Sequence, residues 1–562
     1  MGCLQCKTRP TAIRPVESEF QRDSTQARSQ NTQRILEDCI IVWFRTDSSS
    51  EMSQEESNLC HILSTIKVFS NPTECLTYIK QMEAHKIFLI MSTIDSSLDS
   101  VRNLPQIEQI YILNSSLEEN QNTFHNVNNL CQQFKLDLEL CELDLLIVTT
   151  HRTSDTTETT CTHRKKQEAM FLYGQLKREM LLRLKFETNA KSEFINFWRL
   201  HYSNNDEHIR MINDFEVNYR AQKALQWVTH QYLIWRVLQH ANRTFEVDLL
   251  FKFGFILKNA QTYLTMLQNN NSSNSEHETI FYRGKTMCKQ EFDIILKDLQ
   301  NGLLSFGNFF TAYSNQQKSL EFIHHRLTKF PESIGVLFQI HIPPTIQSHR
   351  SPFASLDKAY GSNNIDENGI IFGFCPVFRI DSIAESTDET NKIIFEINLS
   401  LIDDDDPQLV RLVSPYRTNE AQDNPLLIVG KLLLDIGEYQ QAEQYLIGMT
   451  QDKSIRSQPR RLIRIHKGLA TSYMLHQDIT KALEQYQIIL EISLSYLPAN
   501  HMDLVCVYYE MGKCYFQLEN NEKAVDNCKQ AADLIGQNTP PGDDALLNEI
   551  NSFTQKILEN NV

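Results

Sequence analysis

Phe281-Tyr282-Arg283-Gly284, then Ser305-Phe306-Gly307-Asn308-Phe309-Phe310-Thr311-Ala312-Tyr313, then Asp366-Glu367-Asn368-Gly369-Ile370-Ile371-Phe372 are three short polar motifs in or beside runs rich in aromatic and β-branched residues. Runs of that composition, bounded by Gly, Asn or Ser, read as strands rather than helices. An arginine, a hydroxyl-bearing turn and an acidic turn on separate strands can converge on one cleft. The guanidinium offers a rigid fork of donors that suits a phosphate or pyrophosphate. A carboxylate near it can hold sugar hydroxyls and stabilise a developing positive charge.

In order and surroundings these motifs resemble the signature of the arginine-specific mono-ADP-ribosyltransferase family: an Arg on one strand, a Ser-Thr-Ser on a second and a Glu-x-Glu just before a third. Tyr282-Arg283-Gly284 resembles the arginine motif, and the segment from Leu304 to Phe322 resembles the surroundings of Ser-Thr-Ser. Ser351-Pro352-Phe353-Ala354, Ile370-Ile371-Phe372 and Val377-Phe378-Arg379-Ile380 resemble the third. The likeness spans roughly Met170 to Leu401, a whole domain rather than a lone short match. It implies an α+β ADP-ribosyltransferase-like domain at 168–402, NAD+ as substrate, no metal, and transfer of ADP-ribose to an arginine of a protein acceptor. It also implies that Arg283 and Gly284 meet the cofactor phosphates, that Thr311 and Tyr313 stand at NAD+-binding positions, and that Glu367 orients the acceptor guanidinium.

Two motifs depart from the family pattern. Counting back from Phe322, the Ser-Thr-Ser positions are Thr311, Ala312 and Tyr313, of which the first alone keeps a small hydroxyl. Counting back from Ile370, the Glu-x-Glu positions are Glu367, Asn368 and Gly369, so the glutamate that grips the nicotinamide ribose is a glycine. Losing one such electrostatic contact costs on the order of 10² to 10³ in rate. Restoring it with Gly369→Glu is therefore expected to raise NAD+ cleavage. Two functions stay open: an NAD+-protein-arginine ADP-ribosyltransferase with impaired turnover, and an inactive relative serving as a scaffold. Gly369, Ala312 and Tyr313 weigh towards the second.

Towards the N-terminus, residues 36–150 alternate strand-like runs at Cys39–Phe44, Ile66–Phe69, Lys86–Met91, Ile107–Leu113 and Leu143–Val148 with helical crossovers such as Pro72–Met82 and Asn122–Gln133. That alternation predicts a parallel α/β sheet covered on both faces, resembling a receiver or flavodoxin domain. The third strand is followed by Ser92-Thr93-Ile94 with no phosphoacceptor aspartate, and no glycine-rich loop follows the first, so a structural or partner-binding role is expected. A Thr-rich linker at 151–167 then leads into an amphipathic helix over Glu168–Phe186. Trp227, Trp235 and Arg236 could stack on a base. Helix packing is the better reading of both tryptophans, and His240, Asn242 and Arg243 carry no role legible from sequence.

Towards the C-terminus, the acid run Asp403–Asp406 lacks the ligand spacing of a calcium loop and reads as an interdomain linker at 403–422. Beyond it Gly430, Leu433, Gly437, Tyr439 and Ala442 share their spacing with Ala470, Tyr473, Gln477, Ile479 and Ala482, and with Gly512, Tyr515, Glu519, Asn521 and Ala524. The pattern resembles the tetratricopeptide repeat, although the start points lie 40 and 42 residues apart rather than the usual 34 or so. It implies an all-α solenoid at 423–562 that binds a protein or peptide partner on its concave face.

A chain of 562 residues with 41% hydrophobic and 22% charged residues is ordinary for a multidomain globular protein. Its net charge of −16 argues against general nucleic-acid binding. The 13 cysteines form no zinc-type cluster, and no secretory signal or 18-residue apolar run occurs, so a reducing, cytoplasmic setting is the default. Met1-Gly2-Cys3-Leu4-Gln5-Cys6 resembles the start of doubly acylated proteins, with Cys6 where Ser or Thr is usual. Peripheral membrane anchoring through Gly2, Cys3 and Cys6 is one reading of the tail at 1–35, and a disordered polar segment is the other.

Overall fold

A computed structural model describes residues 35–45, 54–92, 100–102, 104–114, 120, 122–152, 162–183, 186, 189–203, 205–228, 233–269, 279–344, 346, 351–360, 369–387, 392–403, 405–418, 425–450, 458–538 and 545–559. Gly2, Cys3 and Cys6 lie outside the described residues, as do Asp366, Glu367 and Asn368. The fold is mixed α/β with a parallel sheet and a C-terminal helical region. It divides into two units, one spanning Asn31–Leu182 and Ala190–Gln441 and the other built mainly of Ala442–Val562.

The first sheet contains β1 (Cys39–Phe44), β2 (Ile66–Phe69), β3 (Lys86–Met91), β4 (Ile107–Leu113) and β5 (Thr123–Phe124) in the order β2-β1-β3-β4-β5. All its pairings are parallel. Every residue of β1 is buried because helices cover both faces. On one side Ile41, Trp43, Phe88 and Tyr111 join α1 (Gln54–Cys60) and α3 (Val127–Asp144). On the other, Ile40, Val42 and Leu89 join α2 (Pro72–Gln81). Asn71 and Asn126 cap α2 and α3 by accepting from exposed N–H groups of their first turns.

The expected fifth strand at Leu143–Val148 is not in this sheet. Leu143 and Asp144 end α3, the fifth strand is the two-residue β5, and Val148–His151 forms β6 at the edge of a second sheet. There Val148 pairs with Phe306, and Leu146 and Val148 join the core of the second sheet. Burial against that larger apolar face decides the pairing, which no local pattern reveals.

Six helices follow: α4 (Thr162–Arg183), α5 (Ala190–His201), α6 (Asp206–Asn218), α7 (Ala224–Trp227), α8 (Leu233–Arg243) and α9 (Val247–Asn269). The helix expected from Glu168 thus starts earlier, inside the stretch read as linker. Phe194, Trp198, Phe215, Trp227 and Phe253 interlock as tilted or edge-on aromatic pairs at the heart of this layer.

The second sheet adds β7 (Thr279–Cys288), β8 (Leu303–Phe306), β9 (Phe310–Tyr313), β10 (Ser333–Ile342), β11 (Phe353–Ser355), β12 (Gly369–Phe372), β13 (Val377–Thr387) and β14 (Ile393–Leu401). Its order is β11-β12-β9-β7-β10-β14-β13-β8-β6. The described pairings are antiparallel apart from β10 with β14. Three helices are interleaved: α10 (Lys289–Ile295), α11 (Gln316–Lys329) and α12 (Leu356–Tyr360). Phe306, Phe310, Phe338, Phe372 and Phe378 fill the core, with successive ring contacts across five strands.

Asp406, from the acid run, caps α13 (Pro407–Thr418) by accepting from the N–H groups of Gln408 and Leu409, and it pairs with Arg379 at 2.5 Å. The chain continues through α14 (Pro425–Ile436) and α15 (Tyr439–Thr450). Helices at Pro459–Leu475, Ile479–Tyr496, Asp503–Gln517, Asn521–Asn538 and Ala545–Glu559 then follow as hairpins. At the three equivalent turns Gly437, Gln477 and Glu519 take left-handed φ values of 92°, 61° and 58°. The next N–H in each case reaches back five residues along the turn, from Glu438 to Leu433, Asp478 to Tyr473 and Asn520 to Tyr515, which closes the helix end. Small residues let paired helices approach, as at Gly512, where a Cβ would stand 2.7 Å from Cys528 Sγ.

Candidate functional site

The three motif strands β7, β9 and β12 are neighbours. Tyr313 of β9 pairs with Tyr282 of β7 on one side and with Gly369 of β12 on the other, and Thr311 lies opposite Ile371. Arg283 therefore sits one residue from the β7–β9 bridge, and its Nη1 donates to the Thr311 carbonyl at 3.3 Å. Its Nη2 donates to the Leu143 carbonyl at the end of α3, at 2.8 Å. Arg283 and Thr311 are each only 7% exposed. Burial pushes the Arg283 guanidinium below its ordinary range, against the opposing pull of Tyr313 and Asp144.

Gly284 faces the other side of β7, where a Cβ would stand 2.6 Å from the backbone oxygen of Ser319 in α11. Only glycine lets the helix lie this close to the strand. Tyr313 carries the Lys318 ammonium 4.2 Å from its ring centre, a cation–π contact. The polar residues of the second motif are engaged elsewhere: Ser305 accepts from Gln175, and Asn308 donates to Gln239 at 2.9 Å.

The recess beside Arg283 has room for about 20 Å³, bounded by Leu143, Leu146, Trp235, Gln239, Phe309 and Thr311 among others. That is space for roughly one water molecule. Sites for drug-sized ligands run to roughly 300–1,000 Å³. Trp235, one of the two tryptophans read as packing residues, lies on this wall.

Gly369 is buried and crowded. A Cβ there would meet Leu356 Cδ1 at 2.5 Å, Tyr313 Cδ1 at 3.2 Å and the Ala312 oxygen at 3.3 Å. A side chain at the position counted as the missing glutamate therefore requires Leu356 to move.

The charges around this recess leave no local pattern in the chain. The Asp144 carboxylate accepts from the Thr286 N–H at 2.7 Å and from its hydroxyl at 2.5 Å, and the Asp144 carbonyl accepts from Lys285 Nζ at 2.5 Å. Arg326 of α11 pairs with Glu108 of β4 and, at 3.2 Å, with Asp144. Lys329 lies 3.4 Å from Glu108 and 3.7 Å from Asp137. A second cluster gives roles to residues left without one: Asp38 accepts from Arg243 at 2.6 Å and meets His240 Nδ1 at 2.8 Å, while Arg236 pairs with Glu142 at 2.7 Å. Asn242 accepts from the Lys177 ammonium at 2.6 Å. Glu108 and Arg326 are 218 positions apart, which is why spacing could not pair them.

Among the described residues no group of three or more His, Cys, Asp or Glu is arranged to hold a metal ion. No helix among them is long and apolar enough to cross a membrane.

No protein-family model matches the chain, and no curated protein matches it. Among solved structures it is similar to the ADP-ribosyltransferase Vis in complex with an inhibitor, at 14% identity and a TM-score of 0.18 over 46% of this chain and 89% of that one. It is also similar to the same enzyme in complex with agmatine, at 13% identity and a TM-score of 0.17 over 42% and 86%. A third similar structure is a signal-transduction ATPase with a tetratricopeptide repeat sensor from Pyrococcus horikoshii, at 9% identity and a TM-score of 0.23 over 93% of this chain and 78% of that one.

Proposed function

We propose that the second sheet and its helices form a mono-ADP-ribosyltransferase-type module that takes NAD+ as substrate and passes ADP-ribose to an arginine of a protein, while the C-terminal helical hairpins hold a protein or peptide partner. The observation that carries this reading is the adjacency of β7, β9 and β12, which brings Arg283, Thr311 and the chain end of the acidic turn at Gly369 to one place. Arg283 would pair with the pyrophosphate through its planar fork. Thr311 would help position the dinucleotide, and Glu367 would orient the acceptor guanidinium. As the nicotinamide–ribose bond breaks, its electrons leave with nicotinamide and positive charge develops on the ribose. A carboxylate from the acidic turn is the group suited to stabilise it.

A second reading, a binding module without turnover, is favoured by Gly369, which offers no carboxylate and lies packed against Leu356 and Tyr313. Nicotinamide release from NAD+ separates the two when measured on the full chain, with and without an arginine-bearing acceptor, beside Arg283→Ala. Release that depends on Arg283 and couples to acceptor labelling supports the transferase. No release from wild type or from any variant that uncovers Arg283 sinks it and leaves the binding module.

A further inference from the structure

Arg283 meets protein where the proposed function needs it to meet a ligand. Leu143 lies in the last turn of α3, so its carbonyl has no partner within the helix and carries part of the helix's negative end. The next residue, Asp144, sets a carboxylate against the Thr286 amide and hydroxyl and a carbonyl against the Lys285 ammonium. One arginine, one lysine, one backbone N–H and one hydroxyl thus converge on a negative helix terminus. These are the donors that cradle a pyrophosphate. Leu143 and Leu146 also wall the recess down to the volume of a water molecule.

We propose that the end of α3, Leu143 to Leu146, is a built-in plug that occupies the pyrophosphate position of the dinucleotide cleft, so that NAD+ binds only when this corner is withdrawn. The identity of the ligand rests on the proposed function; the occlusion of Arg283 does not. The plug is held by a lock of buried ion pairs between the first sheet and α11. Arg326 and Glu108 are 6% and 0% exposed, and Lys329 adds contacts to Glu108 and Asp137. Removing one partner of such a pair strands the other charge in a dry interface, so the closed arrangement is what suffers.

The experiment uses full-length wild type, Glu108→Gln and the milder Lys329→Met, none of which alters a donor to the plug. Phenylglyoxal modification of Arg283, read by peptide mass spectrometry against the exposed Arg210, reports access without reference to NAD+. NAD+ binding at equilibrium is measured in parallel. Arg283 is expected to be protected in wild type and modified faster in both variants, with apparent NAD+ affinity rising on the order of tenfold or more as the competent fraction grows. Wild-type Arg283 reacting as fast as Arg210 overturns the plug, and that comparison does not require either variant to fold. Protection unchanged in both variants overturns the lock. NAD+ bound by wild type while Arg283 stays protected overturns the plug and leaves the proposed function standing. Arg283 unmasked with no NAD+ bound by any form overturns the plug as a cofactor gate and identifies the proposed function as the step that failed.

Discussion

The Leu143 carbonyl and the Arg283 guanidinium, 140 positions apart in sequence, are joined by a hydrogen bond of 2.8 Å. With the Thr311 carbonyl at 3.3 Å, it gives a buried cation two oriented acceptors and, among the described residues, no carboxylate in hydrogen-bond contact. A buried guanidinium held this way is costly, since burial disfavours its charge. Such an arrangement is at odds with selection for stability alone and accords with a site that exchanges one set of acceptors for another.

Arg283→Lys tests that geometry directly. A point-charge ammonium cannot reproduce two divergent N–H bonds, so one buried carbonyl loses its donor. The expected loss of stability is about 1–3 kcal/mol, read by chemical denaturation. An unchanged midpoint would mean that the two bonds are not made in solution.

Sequence reasoning expects Gly369→Glu to raise NAD+ cleavage; the packing reverses that expectation. A Cβ would overlap Leu356, itself 4% exposed, with Tyr313 and the Ala312 carbonyl close on other sides. Overpacking of this kind costs about 1–3 kcal/mol. Gly369→Glu should therefore unfold earlier than wild type with no gain in nicotinamide release, and Leu356→Ala in the same chain should recover part of the stability. A well-folded single variant with faster release would show that β12 yields easily.

How much of this was legible follows from where each signal lies. The buried strands β1 and β3 show as nearly unbroken apolar runs, and the motif strands as aromatic runs ending in polar turns, because strand burial writes itself into a few consecutive residues. The hairpins left a spacing that the left-handed turns at Gly437, Gln477 and Glu519 reproduce. The run ending at Val148 reads as a strand of the first sheet and pairs in the second, because an apolar run states that it is buried and not which sheet buries it. Leu143, Asp144 and Glu108 could not be found at all: a helix-end carbonyl has no side-chain signature, and ion-pair partners set by tertiary contact leave no periodicity.

The turn residues make a stability prediction. Gln477 and Glu519 hold the left-handed conformation that Gly437 holds without a Cβ. Left-handed backbone costs a non-glycine residue about 1–2 kcal/mol. Gln477→Gly and Glu519→Gly should each stabilise the helical unit by roughly 0.5–1 kcal/mol after allowing for glycine's extra unfolded-state entropy. Thermal unfolding followed at 222 nm would decide it, and a lower midpoint for both would refute the strain argument.

His85 predicts acid sensitivity. Its ring stacks on His240 at 5.7 Å, neither of its nitrogens finds a partner among the described residues, and burial with repulsion from His240 and Arg243 lowers its pKa to about 4. A lowered folded-state pKa means that the unfolded chain binds the proton more tightly. The stability is therefore complete above about pH 6.5 and is lost as pH falls towards 4. Near pH 5 this ring alone should cost at most about 2 kcal/mol. His85→Phe should flatten the profile between pH 7 and 5, and an unaltered slope would assign the sensitivity to other groups.

The approach of α11 to the sheet yields a graded test. Gly284 and Gly335 both lie under this helix, and a Cβ at either would come within 2.6 Å of it, but the neighbour differs: at Gly284 it is the Ser319 backbone oxygen, and at Gly335 the Ile323 Cγ2 methyl. A methyl can move by rotation of its side chain, whereas a backbone oxygen moves only if the helix does. Gly335→Ala should cost about 1 kcal/mol and Gly284→Ala towards 3 kcal/mol, at the upper end for overpacking. Lifting α11 would also draw Arg326 and Lys329 away from Glu108, Asp144 and Asp137, since all three acids are reached from that helix. Gly284→Ala should therefore hasten phenylglyoxal modification of Arg283 while Gly335→Ala leaves it near the wild-type rate. Equal effects on stability and on Arg283 access would show that the helix is not seated on Gly284 and that its contacts to the first sheet are independent of it.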